Sequence, residues 1–224
     1  NAVYDRFYDS GRITAFNFDY KEGDEKKPHV FWDSDVAKWI EGAAYILSEN
    51  DDPELEARVD EVVEDIKKNQ GEDGYFNIYF TVVDPSKRFA DRDKHELYCA
   101  GHLFEAAVAY YEATGKDKLL KVMLKNARHI YKVFIEDKKE GYGGHPEIEL
   151  ALLRLWRVTN EDRYMELAKH FIDIHEKDIN SIDNKIIQSL IDSFIRKGLN
   201  PKTIRNRINF LIASLDFSGI DKRF

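Results

Sequence analysis

With 224 residues, 43% of them apolar and 13% aromatic, the chain can build one domain with a sizeable core or two small ones. Its 34 Lys and Arg against 42 Asp and Glu leave a net charge of −8, which argues against nucleic acid as the main partner, because phosphate neutralisation needs clustered cations. A single cysteine, Cys99, excludes an internal disulfide framework and any structural zinc site built mainly of cysteine.

No apolar run approaches the length that spans a bilayer, and the start does not resemble a signal peptide, so no membrane is expected and the cytoplasm is the expected compartment. The chain opens on Asn1 and not on Met, and an upstream piece is expected to be missing.

Residues 1–32 lack helical periodicity and are expected to run extended, packing Phe7, Tyr8, Phe16, Phe18 and Tyr20 on a larger body. Asp33-Ser34-Asp35 then reads as an N-cap cluster before a helix carrying Val36, Trp39, Ile40, Ala43 and Ile46-Leu47 at helical spacing. Asn50-Asp51-Asp52-Pro53 breaks it, with Pro placed to start the next helix, whose stripe is Leu55, Val59, Val62-Val63 and Ile66. The unit recurs. A helix from Glu96 to Thr114 is followed by Gly115-Lys116-Asp117 and a helix to about Ile135. A helix from Pro146 to Thr159 is followed by Asn160-Glu161-Asp162 and a helix to about His175.

The fold class is therefore all-α, with three antiparallel helical hairpins. Such hairpins cannot bury their faces alone and stack on neighbours, in an open solenoid or a closed toroid. The long loops, Gln70 to Lys94 and Glu136 to His145, leave the same end of each hairpin, and both contain Gly-Tyr. Beyond about residue 176 alanine becomes scarce, and Ile182 to Phe194-Ile195 and Ile204 to Leu215 mark two further helices. Residues 1–175 are read as the repeat domain and 176–224 as a divergent helical tail.

The polar residues that could carry chemistry stand at the loop ends. His95 opens a helix, where a neutral imidazole can bond a ligand hydroxyl; the alternative is a capping or surface histidine. His102 lies on the same face two turns on, among Leu103, Ala106 and Ala107, which favours packing. Gly143-Gly144 precedes His145 and allows close backbone approach, either to a ligand or within a plain turn. No spacing singles out the carboxylate pair that glycoside hydrolysis uses. Cys99 lies in an apolar stretch and reads as packing. No Ser-centred elbow, P-loop or dinucleotide fingerprint occurs.

Four segments nevertheless occur in an order and spacing that identify a family. They are Asp33-Ser-Asp-Val-Ala-Lys-Trp-Ile-Glu-Gly42, Gln70-Gly-Glu-Asp-Gly-Tyr-Phe76, His95-Glu-Leu-Tyr-Cys-Ala-Gly-His102, and Gly141-Tyr-Gly-Gly-His-Pro-Glu-Ile-Glu-Leu-Ala-Leu152. Over roughly residues 1–175 the chain resembles the catalytic domain of the β-L-arabinofuranosidase family, glycoside hydrolase family 127. The resemblance implies an (α/α)6 toroid, of which this chain supplies about half, followed by β-sandwich domains. It implies retaining hydrolysis of terminal β-L-arabinofuranosyl residues or a related glycosidic activity.

By motif position His95, Gly143, Gly144 and His145 resemble sugar-binding elements. The family's nucleophile is a cysteine within a zinc site of one Glu and three Cys, and its acid/base is a Glu. All of these lie downstream of the matched region, so no catalytic residue, metal ligand or cofactor is expected here. The expected product is a truncated glycosidase-like protein whose partner is a small sugar or an arabinofuranoside-containing glycan. The alternatives are a non-catalytic sugar-binding remnant and a non-functional fragment. An incomplete toroid also leads to an expectation of self-association through an exposed apolar edge.

Overall fold

The computed structural model describes residues 2–180 and, beyond them, Asp192, Ile195 and Arg196. Every regular element among the described residues is helical. Two compact units divide the chain, residues 1–171 and 172–224. The tail helices expected within 182–215 lie outside the described residues, apart from Asp192, Ile195 and Arg196.

The chain opens with helix α1 (Ala2–Asp9), followed by a 3-10 turn at Thr14–Asn17. This corrects the expectation of an extended start. The physical reason is tertiary: Tyr4 packs on Trp39 with ring centroids 5.2 Å apart, and Phe16 is fully buried. A helix this short shows little periodicity and is held by what it packs on.

Helix α2 (Trp32–Glu49) starts one residue before the expected cap cluster, with Phe31 at the N-cap position and no side-chain cap. Asp33 is instead buried and accepts from the backbone of Ile78 at 2.9 Å, tying the long loop to α2. Helix α3 (Pro53–Asn69) follows as expected, with the Asp52 carboxylate accepting from Leu55 N at 3.0 Å. The loop to the next hairpin contains a short helix, α4 (Tyr79–Val82). Helix α5 (Glu96–Thr114) has the expected bounds, and Gly115 closes it in the left-handed region. Helix α6 (Lys118–Tyr131) ends in a π turn at Lys132–Glu136. Helix α7 (Ile148–Thr159) starts two residues after Pro146, and α8 spans Asp162–Asn180.

Helices α2, α5 and α7 run parallel in one layer. Phe31 at the start of α2 stacks on His95 at the start of α5, and Gly101 on α5 meets Ile148 at the start of α7. Further along, Arg154 lies 3.2 Å from Glu41 and also pairs with Glu105, joining all three helices. Helices α3 and α6 form the layer behind, also parallel, with Lys118 paired to Glu64 and Gln70 donating to Val122 O at 2.8 Å. Between the layers lies the core, including Ile40, Val59, Phe104, Met123 and Leu155. Tyr164, Leu167, Ala168 and Phe171 join it, with Phe171 edge-on to Phe134 at 5.1 Å. All three front helices therefore present their N-terminal ends, with the loops that precede them, at one end of the fold.

Candidate functional site

At that end four rings from three successive hairpins meet. His95 stacks on Phe31 with centroids 4.5 Å apart and on His145 at 5.0 Å, with interplanar angles of 28° and 16°. Tyr98 lies beneath, 6.0 Å from His95 and 5.5 Å from His145. His29 extends the row, 5.5 Å from Phe31. The sequence alone nominates His95 and His145 on separate loops; the fold brings them into face-to-face contact.

His95 sits at the N-cap of α5 with φ 60° and ψ 25°, in the left-handed region. A non-glycine residue pays roughly 1–2 kcal/mol to stay there, so the surrounding packing must over-determine it. Burial and the neighbouring His145 hold its imidazole pKa below the ordinary value. Both effects favour the neutral ring, which has one donor and one acceptor. Its Nδ1 is buried and has no partner among the described residues.

His145 rides on an exposed turn, and the two glycines before it explain how it reaches His95. A Cβ on Gly144 would stand 2.9 Å from the Arg92 carbonyl oxygen, and one on Gly143 3.1 Å from the His145 carbonyl oxygen. Protein atoms fill the space of both missing side chains, so the glycines let one loop lie against the next. Arg92 and Tyr142 bridge the same two loops through a hydrogen bond and a guanidinium 4.9 Å from the ring centroid. Behind them is a hollow of about 230 Å³, lined by Phe89, Glu96, Leu97 and Phe134 among others.

Below the ring shelf the charged groups are paired across helices. Lys38 Nζ donates to Tyr98 Oη at 2.8 Å. Glu147 Oε1 lies 3.1 Å from His102 Nδ1, and the His102 ring meets Tyr98 edge-on at 4.5 Å. Burial pushes the His102 pKa down to about 4 and raises that of Glu147. His102 thus packs against the shelf from beneath and is uncharged at neutral pH. Sequence reasoning missed Phe31 and Lys38 as parts of this site. Phe31 had a usable signal, since it precedes its helix as His95 and His145 precede theirs.

Glu96, beside His95, turns the other way. Its carboxyl accepts from Tyr75 Oη and from Phe89 N at 2.5 Å, and burial raises its pKa to about 7. Cys99 is buried, its Sγ donates to Val30 O at 3.1 Å, and burial pushes its thiol pKa up. Burial and this hydrogen bond favour the protonated thiol, whereas a nucleophile or a zinc ligand acts as the thiolate. Among the described residues no three His, Cys, Asp or Glu side chains gather to hold a metal ion. No described helix is long and apolar enough to cross a membrane.

Residues 2–202 match the sequence profile described as "Beta-L-arabinofuranosidase, GH127 catalytic domain". A non-reducing end β-L-arabinofuranosidase from Bifidobacterium longum subsp. longum is 43% identical over 164 residues, which is 69% of this chain and 25% of that protein. The chain thus spans about a quarter of the length of that curated relative. The crystal structure of a GH127 β-L-arabinofuranosidase from Geobacillus stearothermophilus T6 superposes with a TM-score of 0.69 at 49% identity, over 73% of this chain and 26% of that one. A second GH127 β-arabinofuranosidase structure gives 0.70 at 29% identity, over 76% of this chain and 29% of that one. The all-helical fold expected from the sequence is that of part of an (α/α)6 toroid.

Proposed function

Because the chain belongs to the GH127 β-L-arabinofuranosidase catalytic-domain family, we propose that its ring shelf is the binding wall for an arabinofuranosyl residue. The observation that carries this is the stacked pair of His95 and His145, flanked by Phe31. A pentose offers hydroxyls that each donate and accept, and C–H faces that lie on an aromatic plane. A neutral imidazole supplies one donor and one acceptor, and a phenyl ring supplies the plane. Gly143 and Gly144 contribute by letting the His145 loop close on the His95 loop.

In this reading the chain binds and orients the sugar but does not cleave it. The family pattern takes its nucleophile, its acid/base and its zinc ligands from sequence downstream of the four motifs, and Cys99 is unsuited to the first or the last role. The whole-length activity, hydrolysis of a terminal β-L-arabinofuranoside, requires that remaining part.

Calorimetry with methyl β-L-arabinofuranoside tests the binding claim. Heat of binding is expected for the native chain and not for His145→Ala or His95→Asn. Asn tolerates the left-handed backbone at position 95 while removing the imidazole. Absence of heat at millimolar sugar would sink the proposal. A chromogenic β-L-arabinofuranoside with zinc and reductant tests the catalytic half of the reading. No turnover is expected, and turnover that survives Cys99→Ala would show that the chemistry lies elsewhere in this chain.

A further inference from the structure

We propose that Lys38 and Glu147 are positioning residues that clamp this shelf from beneath, one from each side. The inference rests on the shelf being the sugar site, and it concerns what holds the shelf in place.

His145 is exposed, and its ring is fixed by contacts with two other rings, His95 and Tyr98. Those contacts are non-directional and leave the ring free to slide unless its neighbours are fixed. Tyr98 is the piece that touches everything: His95, His145, Phe31 and His102. Two charged groups fix it. Lys38, one helix over on α2, donates to the Tyr98 hydroxyl at 2.8 Å with its ammonium 4.8 Å from the ring centroid. Glu147, at the start of α7, holds His102 at 3.1 Å, and His102 in turn meets Tyr98 edge-on.

Glu147 also acts through its backbone. Its N–H donates to the His145 carbonyl at 2.9 Å, so the residue that holds His102 also ties the turn carrying His145. Its own place is set by α5: a Cβ on Gly101 would stand 2.9 Å from Glu147 Cγ and 3.0 Å from Ile148 N. The side chain therefore lies on bare helix backbone. Lys38 and Glu147 carry opposite charges and attract across the cluster. Both act through Tyr98, His102 and His145, which makes them positioning residues.

The test uses the 224-residue chain with Glu147→Gln and Lys38→Met, and with Lys38→Arg and Glu147→Asp as conservative partners. The imidazole Hε1–Cε1 resonances of His95 and His145, assigned through His95→Asn and His145→Ala, report ring placement without any sugar. Calorimetry with methyl β-L-arabinofuranoside reports its consequence. Both charge-removing variants are expected to keep the native circular dichroism, move the His145 resonance, and weaken sugar binding about tenfold. The conservative variants are expected to recover part of each effect.

An unmoved His145 resonance in both charge-removing variants would overturn the proposal, whatever the affinities. If the native chain binds no sugar, the sugar reading falls while the resonances still decide the clamp. If Glu147→Gln fails to fold, Lys38→Met, a change at an exposed side chain, decides the clamp by itself: a moved His145 resonance supports it and an unmoved one overturns it.

Discussion

Asp33 is fully buried, and that burial pushes its carboxyl pKa from 3.8 up to about 7. Its Oδ1 accepts from Ile78 N, and its Oδ2 has no partner among the described residues. A folded pKa above the unfolded one means a contribution fully present below about pH 3.8 and lost as the pH rises through about 7. Asn at this position keeps the acceptor and cannot ionise. Asp33→Asn is therefore expected to match the native chain near pH 4 and to exceed it at pH 8, by as much as roughly 4 kcal/mol in urea unfolding. Glu96 adds a slope of the same sign between about 4.5 and 7. His102 works against both: its pKa is depressed to about 4, so its contribution is present above 6.5 and lost as the pH falls toward 4. Measuring the variant against the native chain at each pH cancels these shared terms. A difference independent of pH would show that Asp33 is already ionised in the fold. In sequence Asp33 looks like a helix cap, because an acid just before an apolar run is what a cap looks like. Only the return of the loop at Ile78 makes it an anchor, and nothing local signals that return.

At the scale of elements, the contact between α5 and α7 depends on one missing side chain. Gly101 lies mid-helix, where glycine costs roughly 1 kcal/mol relative to alanine in an exposed site. Here alanine would drive its Cβ to 3.0 Å from the backbone of Ile148. Gly101→Ala is expected to destabilise the chain by about 1–3 kcal/mol despite its better helix propensity. It should also separate His145 from His95, seen as loss of sugar binding at temperatures where the fold persists. A gain in stability would mean that α7 can retreat at no cost. The sequence pattern locates α3 and α5 accurately because Asp52-Pro53 and Thr114-Gly115 are chemically explicit stops and starts. It misses α1 because eight residues show too little periodicity and the helix is held by Tyr4 on Trp39. The candidate site was half legible. Two histidines in glycine-bearing or helix-opening loops could be found by motif, whereas Lys38 and Glu147 look like any surface charge until three helices bring them under Tyr98.

On the scale of the whole molecule, the described residues leave large apolar side chains exposed. Tyr45 and Ile46 on α2 and Leu150 on α7 are each more than half exposed. An open hollow of about 650 Å³ lies against Val3, Phe7, Trp39, Ile46 and Leu55. Apolar surface of this kind is what a further hairpin covers in a closed toroid. Light scattering is expected to show species heavier than the 26.2 kDa chain at micromolar concentration, shifting toward monomer with Tyr45→Lys and Ile46→Glu. A monodisperse native monomer would contradict this.

The shelf itself draws one ring from each hairpin: Phe31 ahead of α2, His95 ahead of α5 and His145 ahead of α7. A ligand seated there is a further tie between three units already joined by packing and by cross-helix pairs such as Arg154 with Glu41 and Glu105. Its binding energy adds to the cohesion of the array and not to any single hairpin. Saturating sugar is therefore expected to raise the unfolding midpoint, and to slow amide exchange at the α2–α5 and α5–α7 seams before it does so inside any one helix. Occupancy of the pocket and registration of the repeats become two measurements of the same equilibrium.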